Sequence, residues 1–214
     1  KSGGPQGTEF NWDEGFAFWN GLYEQDIDGV ATGSNSPGYI QFSRDGNFKT
    51  EFKQKACDHM KAGQNQDKAK KNEELEGIAA SLVATFSQAV LKYAVEMLDS
   101  SANQDSKWGE GYAYFRCAAG LMDKDLAMHI EENLSPLTNE FPTDNSMLCG
   151  IAQKMADTPD LGYGVGMGDL NIPEFAALAN IESECSITIP PPTDEDTSGA
   201  TSVMRLGSAL LVAA

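Results

Sequence analysis

Between Asp67 and Leu98 the apolar residues Leu75, Ile78, Ala79, Leu82, Val83, Phe86, Ala89, Val90, Tyr93, Ala94 and Met97 recur with a helical period. The pattern predicts one uninterrupted helix, and at about 1.5 Å per residue it spans a small domain. Its apolar stripe is wide, which places it at the centre of a bundle, and its alanines let neighbouring helices come close. The acidic run Glu73-Glu74-Leu75-Glu76 opens this helix, where negative charge is favourable without any ligand. It becomes a cation site only if it packs near other carboxylates.

The same kind of spacing predicts further helices over about Asn47–Lys61, Ser106–Met122, Asp125–Leu134, Asn145–Met155 and Ile172–Glu184, with Pro136 closing the third of these. The stretch from Glu24 to Asn47 reads as loop. Its Asp26-Ile27-Asp28-Gly29 is not a standard calcium loop, because Val30 and Ala31 occupy the positions that need an oxygen ligand and a glycine. The alternate glycines of Gly162-Tyr163-Gly164-Val165-Gly166-Met167-Gly168 follow no strand and lack the Lys-Ser/Thr of a phosphate loop, so they read as a flexible loop.

A second constraint is internal. Trp12-Asp13-Glu14-Gly15-Phe16-Ala17-Phe18-Trp19 returns as Trp108-Gly109-Glu110-Gly111-Tyr112-Ala113-Tyr114-Phe115, with Trp, Glu, Gly and Ala identical and the aromatic character kept. On a helix Trp12, Phe16, Trp19 and Tyr23 form one stripe, as do Trp108, Tyr112 and Phe115, and each stripe must be buried. Glu14 and Glu110 lie beside the stripe near the helix start. They either complement the helix dipole or face a shared site between two halves of the chain.

The expected fold is therefore all-α: a helical bundle built from two pseudo-repeated halves, about 10–100 and 106–185, with long irregular loops, in a single domain over 1–189. A net charge of −17 argues against nucleic acid and anionic membrane surfaces as partners and makes metal cations the natural small ones. No stretch reads as membrane-spanning. Cys57, Cys117, Cys149 and Cys185 are dispersed without Cys-x-x-Cys spacing, which fits two disulfides in a secreted protein and leaves three pairings open. From Pro190 to Ala214 the chain reads as a Pro-rich acidic stalk, then small residues at Ser198-Gly199-Ala200, a spacer and a short apolar end, the layout of a GPI-type anchor signal.

Two histidines carry what coordination chemistry there is. His129 and Glu132 stand one helical turn apart and suit a transition metal such as iron, and that pair resembles the Gly-x-His-x-x-Glu element of imelysin-type iron-regulated proteins, with Ala127 in place of Gly. The plainer reading is a solvated helix face. His59, beside Cys57 and Asp58, is a further ligand candidate or a helix-end residue. Nothing assembles a nucleophile, base and orienting acid, so no catalytic residue is nominated.

The stretch Trp12-Asp13-Glu14-Gly15-Phe16-Ala17-Phe18, the segment Asn47-Phe48-Lys49-Thr50, and the run from Trp108 to Arg116 together resemble the algal low-iron-inducible, iron-assimilating periplasmic proteins and their secreted phytoplankton relatives. The resemblance covers about Phe10 to Met155. Where those proteins often carry Cys on either side of Asn-Phe-x-Thr, this chain has Asp45 and Glu51. The resemblance implies a secreted or cell-surface protein that binds or concentrates iron without catalysis, and Glu14, Glu110, His129 and Glu132 are the metal candidates. The other readings are a structural or adhesive surface module with no metal and, last, a metal-dependent hydrolase using His129 and Glu132.

Overall fold

A computed structural model of the chain describes Trp19, residues 25–27, residues 30–32 and residues 37–193. The first aromatic octamer up to Phe18, with Glu14, and the chain beyond Thr193, with the anchor-like end, lie outside the described residues.

The architecture is helical, as its periodicities require. Helix α3 (Lys68–Glu96) is the centre. Asp67 caps it, its carboxylate accepting from the Lys70 amide at 2.9 Å. Along it Val83, Ala84, Ala89, Val90, Leu91 and Ala94 are buried to 2% exposure or less. It is flanked on one side by α2 (Phe52–Gly63) and on the other by α4 (Gln104–Ala118). By length and composition α3 would also cross a bilayer, which the sequence reading overlooked. Some 83% of its apolar window is buried by the protein itself, the mark of a core helix. Leu75, expected in the stripe, is half exposed.

Two elements stand where a loop was expected. Gln25–Ile27 (β1) and Val30–Thr32 (β2) pair antiparallel, Ile27 opposite Val30, and Asp28-Gly29 between them is a favoured two-residue hairpin composition. Helix α1 (Pro37–Phe48) follows, with proline at its first position. The helix expected over Asn47–Lys61 is thus two helices, divided where Lys49 adopts a left-handed φ of 55°. Asp45 organises the junction. Its carboxylate accepts from the Thr50 hydroxyl at 2.7 Å, the Phe52 amide at 2.9 Å and the Lys53 amide at 2.8 Å, so a residue of α1 satisfies the free amides at the start of α2. This side chain clamps the Asn-Phe-x-Thr corner by hydrogen bonds.

The second motif is as expected in α4. Trp108 and Phe115 are buried, and the Trp108 indole donates to the Leu134 carbonyl at 2.7 Å and meets Phe141 edge-on at 5.4 Å. Helix α5 (Lys124–Leu134) is capped by Asp123 and stops before Pro136. Helix α6 (Ser146–Asp157) follows. The predicted helix over Ile172–Glu184 is instead a chain of 3-10 turns at Met167–Leu170, Ile172–Glu174 and Ala176–Leu178, ending in the short α7 (Ile181–Cys185). The run is broken at Phe175, whose ψ of 108° is extended.

The glycine loop is not flexible padding. Asp160 accepts from the Gly162 and Gly164 amides at 2.8 and 2.9 Å, and Val165 and Met167 enter the core. Gly162, at φ 141°, lies against the Leu121 carbonyl where any side chain would collide. The first residues of the expected stalk also belong to the body: Thr193 donates its amide and hydroxyl to Asp169 at 2.8 Å each, and the Pro190–Pro191 backbone lies over Gly168.

Of the two disulfides expected, one forms. Cys149 on α6 joins Cys185 at the end of α7, tying the C-terminal turns to the bundle. Cys57 is a buried thiol packed with Trp19, Ala56, Met60 and Ile78, and Cys117 is an exposed thiol on α4, so these two do not pair.

Candidate functional site

Three clusters draw on residues singled out from the sequence. The richest surrounds Tyr93, on α3, opposite the second motif. Gly111 allows α4 to approach there, since a Cβ on it would lie 2.8 Å from that of Tyr93. Tyr114, also from the motif, stacks on Tyr93 with centroids 5.2 Å apart, and Phe86 tilts against Tyr114. Three cations approach the Tyr93 ring: Lys92 at 4.4 Å, Lys107 at 5.2 Å and Arg44, from α1, at 5.5 Å.

Glu110 sits at the edge of this cluster. It accepts from Lys107 at 3.3 Å and the Ser106 hydroxyl at 3.2 Å, and it is hydrogen-bonded to the Tyr93 phenol. Partial burial pushes its pKa up, but the phenol, the ammonium and the hydroxyl outweigh that and hold the carboxyl below its ordinary range. The Tyr93 phenol is driven well above its ordinary range, chiefly by burial, so it stays protonated. Lys92 bridges to Glu96 at 2.6 Å, yet burial leaves its pKa lowered, with Arg44 and Lys107 adding repulsion.

The second cluster joins α2 to the acidic start of α3. His59 Nδ1 lies 2.8 Å from Glu74, whose other oxygen accepts from Lys70 at 3.0 Å. The Glu74 side chain is only 8% exposed; burial raises its pKa, and His59 and Lys70 together bring it below the ordinary value. Gly77 makes the contact possible, because its missing side chain leaves the space the imidazole fills. His59 Nδ1 is thus engaged by the one buried acid in the Glu73–Glu76 run.

In the third cluster the expected metal pair separates into unrelated roles. His129 Nε2 is 3.2 Å from the Gly150 carbonyl, linking α5 to α6, while Glu132 is exposed. The neighbouring Glu131 makes the contacts across to α4, accepting from the Tyr112 hydroxyl at 2.6 Å and from Arg116 at 2.9 Å. Among the described residues no three His, Cys, Asp or Glu side chains converge as a metal site. Glu110, His129 and Glu132 are not brought together, and Glu14 lies outside the described residues.

Sequence reasoning missed Arg44, Lys92 and Lys107. Arg44 lay in a stretch read as loop, and the two lysines looked like ordinary polar positions beside an apolar stripe. The available signal was Tyr93, the one hydroxyl-bearing side chain in an otherwise apolar stripe. Comparison with protein-family models, with curated proteins and with solved structures returns no match.

Proposed function

We propose that the chain is a non-enzymatic, extracytoplasmic protein of the iron-assimilation type, which binds or concentrates iron through oxygen donors centred on Glu110 and its pseudo-equivalent Glu14. The observation that carries the reading is the setting of Glu110: a partly exposed, ionised carboxylate in contact with a phenol, two oxygen donors contributed by neighbouring helices. The Cys149–Cys185 bond supports an oxidising compartment. Iron entering here has to displace the Lys107 ammonium and overcome Arg44 and Lys92, so uptake should release protons and strengthen as pH rises.

Titration with Fe(III) and Fe(II) of the wild type and of the Glu14→Gln/Glu110→Gln variant tests this. The double variant is expected to bind at least tenfold more weakly, about 1.4 kcal/mol; tight binding that survives in it removes both glutamates from the site.

A structural or adhesive surface module without metal is the second reading. It is favoured by the local satisfaction of the described candidates, Glu110 by Lys107 and Ser106, and His129 by a backbone carbonyl. Protein that carries no iron from its native source and shows no iron-dependent thermal shift supports this reading instead. The lipid-anchor proposal belongs to it as well and rests on the sequence of the C-terminal end alone. A hydrolase reading ranks last, because it needs a third ligand beside His129 and Glu132.

A further inference from the structure

Asp169, in the 3-10 turn Met167–Leu170, is the clasp of a short strap. One of its oxygens accepts from the Thr193 amide at 2.8 Å; the other accepts from the Thr193 hydroxyl at 2.8 Å and the Gly166 amide at 2.6 Å. The strap crosses two glycines. A Cβ on Gly168 would strike the Pro190 and Pro191 backbone, and one on Gly166 would press on the Thr193 methyl at 3.1 Å. Upstream the strap is bounded by Cys185, which the disulfide fixes to α6. Thr193 is exposed, on chain outside any helix or strand. In sequence it is followed by Asp194-Glu195-Asp196, the only run of three consecutive acids in the chain.

We propose that Thr193 is a phosphorylation site and that its phosphate opens this strap. The modifying enzyme is an acid-directed Ser/Thr kinase, because an exposed hydroxyl with consecutive carboxylates on its C-terminal side offers the charge pattern that a basic substrate groove selects. The terminal phosphoryl group of a nucleoside triphosphate passes to Oγ1, the diphosphate leaves and the hydroxyl proton is released. The product removes a donor that Asp169 holds and sets about two negative charges against its carboxylate. Among the described residues no lysine or arginine pairs with Asp169 to accommodate them. The clasp then repels what it held, and the strap leaves Gly166 and Gly168. The disulfide stops the opening at Cys185, so residues 186–193 join the chain beyond them and add up to about 25 Å of reach at about 3.1 Å per residue. The site stands without the iron reading; under the extracytoplasmic one, the kinase is met on the secretory route.

The test treats the full chain, as wild type and as Thr193→Val, with ATP, magnesium and a casein-type acid-directed kinase, and reads site occupancy by mass spectrometry and opening by hydrogen exchange. Wild type is expected to take phosphate at Thr193. Phosphorylation should speed exchange of the Gly166 and Thr193 amides roughly tenfold and leave α3 unchanged. Unmodified Thr193→Val, which loses only the hydroxyl, should stay within about threefold of unmodified wild type. Protein from its native source should carry phosphate on Thr193. Treated wild type without phosphate at Thr193 overturns the proposal, even where Thr197 or Ser198 is modified. So does native protein with none there, or phosphorylated protein whose Gly166 and Thr193 amides exchange as before. Opening of unmodified Thr193→Val to the same degree as the phosphorylated wild type also overturns it, since the lost hydroxyl bond and not the added charge would then release the strap.

Discussion

Two glycines in the repeated motif do opposite things, although they are two residues apart. A side chain at Gly111 meets Tyr93, whereas nothing lies within 4 Å of one added at Gly109. Gly111→Ala is therefore expected to cost about 1–3 kcal/mol through overpacking, and Gly109→Ala to gain up to about 1 kcal/mol from helix propensity, both read by urea unfolding. Gly77 makes a parallel case with a charge attached. Gly77→Ala pushes His59 off Glu74, leaving a buried acid with Lys70 alone. Because the folded pKa of Glu74 is below its ordinary 4.5, its contribution is fully present above that pH and is lost as pH falls through the folded value. The acid limb of stability against pH should accordingly flatten in Gly77→Ala and in His59→Gln, with the difference from wild type largest above pH 4.5. The retained Gly of the octamer was legible as a motif position in the sequence, but its reason was not, because the reason is the Cβ of a residue on another helix.

Among the elements, those with long apolar periods were legible to within a few residues: α3 was expected from Asp67, which is its cap, and α5 from Asp125, one residue inside its start. Helix α1 was not. Its one buried face combines Gln41, Arg44 and Phe48, and no hydrophobic period marks a face that carries an amide and a guanidinium. The break after it was equally hidden, since Phe48 and Phe52 keep helical spacing across a junction that Asp45 enforces. Asp45→Ala should cost about 2 kcal/mol, from the lost cap and the exposed amides of α2, and Asp45→Asn less. Burial sets the pKa of Asp45 above its ordinary value despite those hydrogen bonds, so its own ionisation favours the unfolded chain as pH rises from the ordinary 3.8 through the folded value. The cysteines divide in the same way. An even count suggested two bonds, while the pairing was decided by which chain ends α6 and α7 bring together. Removing the bond with Cys149→Ala/Cys185→Ala opens a separation of 36 residues and should cost roughly 3–4 kcal/mol in the chain-entropy view. Thiol titration of the native protein should find Cys117 at once and Cys57 only after unfolding.

For the molecule as a whole, the charge and the helical class were plain in the sequence, and the candidate site was legible only as Glu110 and its aromatic neighbours. The cations around Tyr93 come from three helices, and no spacing rule connects Arg44 to Lys92 and Lys107. The expected two pseudo-repeated halves are not shown, since the first octamer apart from Trp19 lies outside the described residues. The central position of α3 has a consequence in time. Its two main partners, α2 and α4, are its neighbours in sequence, so the first large contacts close over short loops and should form fast. The turns after Pro159 and α7 reach back over a greater length of chain and meet a surface already built. In pulse-labelled hydrogen exchange, amides of α3 and its two neighbours should therefore gain protection before those of 160–190. Reduction of the Cys149–Cys185 bond should lower protection in the later set and leave the early one little changed, so the turns after Pro159 would be lost first under a reducing or mechanical load.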